Sequence, residues 1–378
     1  LTLRAVSGEI APSCRLVAGN GHLRRKEVMM AKKVKFGVIG LGWPGSTHIR
    51  AIFENRSKAE LVAVADILPE RRKDLVERLE KEKGVVPREY DDIKGLLSDP
   101  EVEAICIGLP NYLHAPVALA ALRKGVHVFT EKPPTMKAAE MKRIVREVDK
   151  TGLTYMYVCQ RRYSSQGMAF RRMVERGTLG EVYHARAVWR RARGIPIGAG
   201  GWFVDKKRAG GGALIDIGVH MLDAAWYFMG SPKPVSISGS VYTKFKNLIP
   251  PKVHYDVDDL GVGLIKFANG ASLFLEASWA LNQREDEYHS VTLFGTKAGA
   301  EFSPMLLLKR DKKRKLVEKP IPYRKTKRSD FGNMIAHFVD CIESRKEPVT
   351  SAKQALQLMQ MLDGVYQSSE TGREVRIK

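Results

Sequence analysis

Apolar residues in the first part of the chain fall into short runs, separated by longer stretches in which they recur every three or four positions. The runs at 34–39, 61–65, 104–107, 126–129 and 153–158 are rich in β-branched and aromatic side chains and are too short for helices. They predict buried strands. Between them, 48–55, 69–83, 114–124 and 136–150 keep a helical period. Pro69 stands where a first turn tolerates proline, with Glu70 near the positive end of the dipole, and Gly125 after Arg123 and Lys124 is a stop signal. Strand–helix alternation with short connections predicts a parallel, doubly wound sheet.

Past residue 158 the pattern changes. Helical segments at 168–176 and 213–229 are mixed with longer alternating strands at 182–190, 235–243, 262–267, 272–279 and 290–294. Asn269-Gly270 predicts a two-residue hairpin turn, and 333–344 and 352–369 read as amphipathic helices. The fold class expected is α/β followed by α+β. Residues 31–157 are expected to form a doubly wound α/β domain, and 158–378 an α+β domain with a large, mainly antiparallel sheet. Residues 1–30 keep no period and contain no apolar core of a secretory signal. They read as a disordered or non-native extension, with Met29 or Met30 a plausible natural start.

Composition removes several classes. No run of about 18 apolar residues exists, so no membrane span is expected. Cys14, Cys106, Cys159 and Cys341 are scattered with no C-x-x-C, which argues against a zinc site or disulfide framework and for a reducing, cytoplasmic setting. No metal is expected. The formal charge of +21 raises nucleic acid as a partner. Much of it sits between residues 309 and 328, which read as a basic hairpin whose lysines keep a sheet edge solvated. No nucleic-acid-binding motif accompanies it, and no nucleic-acid partner is expected.

The chemistry is carried by three stretches. Gly40-Leu41-Gly42-Trp43-Pro44-Gly45 directly follows the first strand and precedes a helix, the context a dinucleotide fingerprint requires. Its glycines permit a tight turn, backbone approach to a pyrophosphate and close helix packing; Pro44 removes one N–H donor. Asp66 ends the second strand 21 residues after Gly45, placed to hold a ribose 2′-OH and so to favour NAD. Arg71 and Arg72 leave NADP as the alternative. Lys132, between Glu131 and Pro133-Pro134, lies at the carboxyl end of a parallel strand, the side on which such sheets bind ligands; a cis Lys132–Pro133 bond is an option there. Asp216 and His220, four apart after Gly210-Gly211-Gly212, face one way on a helix. There a histidine suits proton removal from a hydroxyl, with Asp216 orienting it.

Taken with Pro110-Asn111-x-x-His114 and Asp223, these motifs appear in the order typical of the Gfo/Idh/MocA oxidoreductases, the glucose–fructose oxidoreductase and inositol dehydrogenase family, which the chain resembles over residues 33–375. The resemblance implies a two-domain enzyme, with a Rossmann dinucleotide-binding domain at 31–157, a substrate-binding and oligomerisation domain at 158–378, and nicotinamide held between them. Lys132, Asp216 and His220 match the family's catalytic set, and Pro110, Asn111, His114 and Glu131 its cofactor-side positions. It implies hydride transfer between NAD, or NADP, and a secondary hydroxyl or ketone of a sugar, cyclitol or derivative. It also implies a homodimer or homotetramer joined through the second sheet. Two other readings stand beside it: glycoside cleavage through transient oxidation, and a nicotinamide-binding sensor. Arg161, Arg162, Trp202, Tyr255 and Asn282 are candidates to line the substrate pocket, and the arginine-rich stretch from Arg161 to Arg193 suits a phosphate or carboxylate.

Overall fold

The computed structural model describes residues 32–377; the expected extension at 1–30 and Cys14 lie outside them. From Lys33 on, the chain packs as one compact unit. Its first part runs β1 (Val34–Ile39), α1 (Trp43–Glu54), β2 (Ala59–Ala65), α2 (Pro69–Lys83), β3 (Arg88–Tyr90), α3 (Ile93–Leu96), β4 (Ala104–Ile107), α4 (Asn111–Arg123), β5 (His127–Thr130), α5 (Ala138–Thr151) and β6 (Tyr155–Tyr157). The strands lie in the order β3-β2-β1-β4-β5-β6, all parallel. Strand order reverses between β1 and β4, and in such sheets ligands bind in the crevice this opens beyond the strand ends. Local signals are obeyed closely. Pro69 opens α2, and Gly84 ends it in the left-handed conformation (φ 64°).

The second part contains α6 (Gln160–Tyr163), α7 (Ser165–Glu175), β7 (Val182–Arg191), α8 (Lys206–Ala209), α9 (Val219–Phe228), β8 (Pro234–Tyr242), β9 (Leu260–Phe267), β10 (Ser272–Ser278), β11 (Glu287–Gly295), β12 (Gly299–Glu301), β13 (Leu306–Arg310) and β14 (Leu316–Pro320). It closes with α10 (Asp330–Ser344), α11 (Ala352–Thr371) and β15 (Val375–Arg376). Its nine strands are ordered β14-β13-β12-β11-β7-β10-β9-β8-β15. Every neighbouring pair is antiparallel except β7 and β10. The basic hairpin is β13–β14, at one edge. No helix among the described residues is long and apolar enough to cross a membrane.

Two local expectations are corrected. The β9–β10 connection is a three-residue loop, since Phe267 N–H bonds Ala271 O across it, with Gly270 at φ 84°. Glycine supplies the left-handed position, but after an ordinary first turn rather than inside a two-residue one. Segment 213–229 is not one regular helix either: Leu214–Gly218 is a π turn that feeds into α9. A third finding concerns α10, which lies late in the chain yet covers the parallel sheet. Phe338 packs on Phe36 and Phe129, and Asn55 Nδ2 donates to Gly332 O at 2.9 Å.

Candidate active site

The glycine loop after β1 is built by exclusion. A Cβ on Gly40 would stand 2.5 Å from Gly108 O, and one on Gly45 would stand 1.9 Å from Gly40 O, so β1, β4 and α1 close up as only bare backbone allows. A Cβ on Gly42 would meet nothing nearer than Pro44 Cδ at 3.8 Å, which leaves its outer side open. Leu41 is buried beneath it and Trp43 is 73% exposed beside it. No side chain caps the first turn of α1, whose second position is Pro44. Its N–H groups therefore face the crevice, as pyrophosphate binding needs. Asp66 stands next to this turn: its Oδ2 accepts Leu41 N–H at 2.8 Å and its Oδ1 accepts Leu68 N–H at 3.0 Å. Arg71 reaches the same carboxylate at 3.6 Å, and Arg72 donates to Asp66 O. This glycine cradle, open amide turn and acidic strand end fit a dinucleotide.

The floor beyond β4 and β5 is a set of buried polar contacts. Pro110 precedes α4, and Asn111 Nδ2 donates to Ala209 O at 2.8 Å, tying α4 to the segment ahead of the glycine run. His114 is fully buried, with its two nitrogens 2.7 Å from Leu109 O and Pro133 O. Burial lowers its proton affinity, against the two carbonyls and Glu131, and the neutral ring donates to one of them at a time. Glu131 meets His48 Nε2 at 2.9 Å and accepts Lys132 N–H. Burial works to raise its pKa, but His48 and Lys132 outweigh it and hold the carboxyl below its ordinary value. The Lys132–Pro133 bond is cis.

Lys132 leaves this floor and crosses to the other half. Its Nζ donates to Asp216 Oδ1 at 2.7 Å and to Asp216 O at 3.1 Å. Two of the three ammonium hydrogens are thereby used. Trp279, just past β10, donates its indole N–H to Asp216 Oδ2 at 3.1 Å. Both carboxylate oxygens thus serve Lys132 and Trp279. This corrects the expectation that Asp216 orients His220: the π turn alters the angular relation that four-residue spacing gives in an α-helix. His220 instead lies against Trp189 of β7, ring centroids 5.9 Å apart. Burial first, then the charges of Lys132, Arg161 and Arg191, push its pKa well below the ordinary value. Both effects favour the neutral imidazole.

The helix bearing these two residues is held from behind. Asp258 accepts Gly212 N–H at 2.7 Å and Leu214 N–H at 2.9 Å, while Tyr366 of α11 donates to it at 2.8 Å. A Cβ on Gly212 would stand 1.9 Å from Asp258 O, so the glycine run serves close backbone packing. Asp258, Trp279 and Tyr366 carry no motif signal; they arrive from distant elements.

The substrate-pocket candidates separate. Arg161, on α6, stacks over Trp189. Tyr255 is buried in one apolar cluster with Trp279, and its hydroxyl has no hydrogen-bond partner. Asn282 is held by Arg193 Nη2 at 2.9 Å, and Trp202 stacks on Phe203 in the Ala199–Val204 turn. Neither contact joins them to Lys132 or His220. Among the described residues, one group has metal-ligand spacing: Asp205, His254 and Asp256. Both carboxylates there accept N–H groups of α8, and His254 bonds Asp256, so the group closes a short helix. A cavity of about 710 Å³ lined by His127, Thr154 and Arg345 opens where β5 and β6 begin, away from the crevice.

Residues 34–158 match the model of an oxidoreductase family with an NAD-binding Rossmann fold, and 168–301 match the GFO/IDH/MocA C-terminal domain. The chain is 30% identical over 363 residues to the D-glucoside 3-dehydrogenase of Escherichia coli strain K12, covering 93% of this chain and 100% of that protein. It is 28% identical over 240 residues to the myo-inositol 2-dehydrogenase of Thermotoga maritima, covering 63% and 66%. A levoglucosan dehydrogenase solved with NADH and levoglucosan shares the fold, with a TM-score of 0.77 at 23% identity over 92% of this chain and 100% of that one.

Proposed function

This chain belongs to the Gfo/Idh/MocA family of NAD-dependent oxidoreductases, and on that premise we propose that it moves hydride between NAD and a secondary hydroxyl of a sugar or polyol in the gap spanned by Lys132 and Asp216. The observation that carries the reading is the 2.7 Å contact between them. A cation from the cofactor half and a carboxylate from the other half meet beside a neutral imidazole, at the carboxyl ends of the parallel strands. NAD, when bound, supplies the hydride acceptor. Gly40, Gly42, Gly45 and Asp66 would hold its pyrophosphate and ribose, with Pro110, Asn111, His114 and Glu131 forming the floor beneath. The third Lys132 hydrogen points the ammonium at the reacting oxygen and stabilises its developing charge. His220 takes the hydroxyl proton as the carbonyl forms and returns it in the reverse direction. Asp216 orients Lys132, and Trp279 fixes Asp216. Tyr255 offers a hydroxyl donor to the substrate.

A division into a cofactor domain at 31–157 and a substrate domain from 158 belongs to the same reading, with α10 returning to the first. So do a cytoplasmic setting, supported by the buried free thiols Cys106, Cys159 and Cys341, and a homo-oligomer through the outer sheet face. That face leaves Leu264 37% and Tyr288 39% exposed; light scattering of the purified protein tests it. The function itself is tested by incubating the protein with NAD and a panel of sugars, glycosides and cyclitols at alkaline pH. Continuous NADH formation with at least one member is expected. Cleaved glycoside without net NADH would instead support transient oxidation, and intact NAD binding with no turnover would leave a sensor.

A further inference from the structure

Trp189 is the meeting point of the pocket's far wall. Its indole N–H donates to Glu287 Oε1 at 2.6 Å, which locks the ring in place. Around it stand His220 at 5.9 Å, His289 at 5.6 Å, and the guanidinium carbons of Arg191 at 5.2 Å and Arg161 at 5.3 Å. Three cations therefore serve this wall and the adjoining gap, and two have counter-ions. Lys132 is matched by Asp216, and Arg191 by Glu287 at 2.9 Å. Among the described residues, the Arg161 guanidinium has no ion-pair or hydrogen-bond partner, and the residue is half-buried. One further group on the wall is unmet: His289 Nδ1 is buried without a partner. His289, like His220, is pushed toward its neutral form, by burial first and then by Arg161. The wall thus carries one uncompensated positive charge, and the oxidised nicotinamide would add a second.

We propose that Arg161, stacked on Trp189 beside His220 and His289, is a subsite for an anionic substituent, so that the substrate is a sugar or polyol bearing a carboxylate or phosphate. This deepens the dehydrogenase reading and rests on it. A neutral hydroxyl restores Arg161's hydrogen bonds but leaves its charge unmatched in a poorly solvated place. An oxyanion restores both, and a guanidinium engages it through two parallel N–H bonds. Stacking on the indole fixes the guanidinium plane, so that specificity comes from a pre-set fork. Arg162, the next residue, is unavailable for this task, since Asp223 and its neighbours take its donors.

The test compares kcat/KM with NAD across matched substrates: a neutral hexose or methyl glycoside, the corresponding hexuronate, and the hexose 6-phosphate. At least one anionic member is expected to exceed its neutral counterpart by about 10–100-fold, the range of a charge-assisted pair; which one does so separates carboxylate from phosphate. In Arg161→Met that ratio should fall toward one, while Arg161→Lys should keep part of it. Inorganic phosphate should inhibit the unmodified protein competitively against the sugar at saturating NAD, a measurement independent of how the variants fold. Equal or better turnover of the neutral member overturns the anionic subsite alone, as does the absence of phosphate competition. No turnover of any member, with NAD binding intact, overturns the dehydrogenase reading itself.

Discussion

Two carboxylates seven residues apart, Asp216 and Asp223, each bind a cation, and they differ in what is left over. Asp223 and Arg162 have side chains only 1% exposed and form a closed set. Arg162 Nε and Nη2 reach both carboxylate oxygens at 2.8 and 2.6 Å, and Tyr157 adds a third donor. Nη1 bonds Val349 O and Gln354, and the guanidinium lies over Trp226 and Tyr227. Lys132 and Asp216 remain 18% and 13% exposed, and one ammonium hydrogen has no assigned partner. A saturated pair specifies packing; a pair with spare valence and a path to solvent can accept a ligand. Similar chemistry, seven residues apart, is therefore closed in one place and open to a ligand in the other.

The contrast is most severely tested by removing each cation's role in turn. Lys132→Met should lower kcat by about 10²–10⁴-fold while NAD affinity and melting temperature change little, because the cradle and Asp66 hold the cofactor elsewhere. Near-normal turnover in a folded variant would falsify the assignment. Asp223→Ala should do the opposite. Leaving Arg162 buried and unpaired costs about 3–5 kcal/mol, seen as a lowered urea midpoint, with NAD chemistry surviving in whatever fraction stays folded. If Asp223→Ala proves stable but inactive, the two pairs do not divide the labour in this way.

Smaller changes sharpen the picture. Asp66→Ser should weaken NAD by about 10–100-fold, the scale of a lost charged hydrogen bond, and narrow the gap to NADP. Tighter NADP than NAD on the unmodified protein would show that Arg71, 3.6 Å from the carboxylate, outweighs it. Trp279→Phe removes one donor to Asp216 and should cost roughly tenfold in kcat by the same scale, with some loss of stability because the indole is fully buried. The pH profile gives the mildest signature. A base must be deprotonated to act, and His220 holds its proton less tightly than ordinary histidine. The acid limb of kcat/KM should therefore lie below the usual histidine range, and His220→Ala should distort that limb. A limb unchanged by the substitution would assign it to another group.

How much of this was legible in the sequence depended on contact range. β1 and β4, and helix α2 with its opening Pro69, follow from patterns confined to a few residues. The fingerprint loop, Lys132 and the Asp216/His220 segment were also readable, because each places several unusual residues side by side. Short β3, β12 and β15 carry too few alternations to register, and their pairing comes from the sheets they join. The π turn was invisible because no residue type marks the switch from an α to a π ladder; it shows only in the hydrogen bonds and in the changed angle between successive side chains. Trp279 and Asp258 were missed for a different reason. Each acts on Asp216 or its helix across at least 44 residues of chain, and nothing local marks a tryptophan or an aspartate for such a task.

The brace behind the π turn has a consequence for the order in which the protein is made. Gly212 and Leu214 are fixed by Asp258, and Asp258 is in turn held by Tyr366. A ribosome will have delivered the glycine loop, Lys132, Asp216 and His220 well before it reaches position 366. Until then the nascent chain carries the full set of proposed reacting groups without the strut that completes the support of their helix. Competence arrives late in translation, and a pulse-labelled chain should bind NAD before it can turn it over.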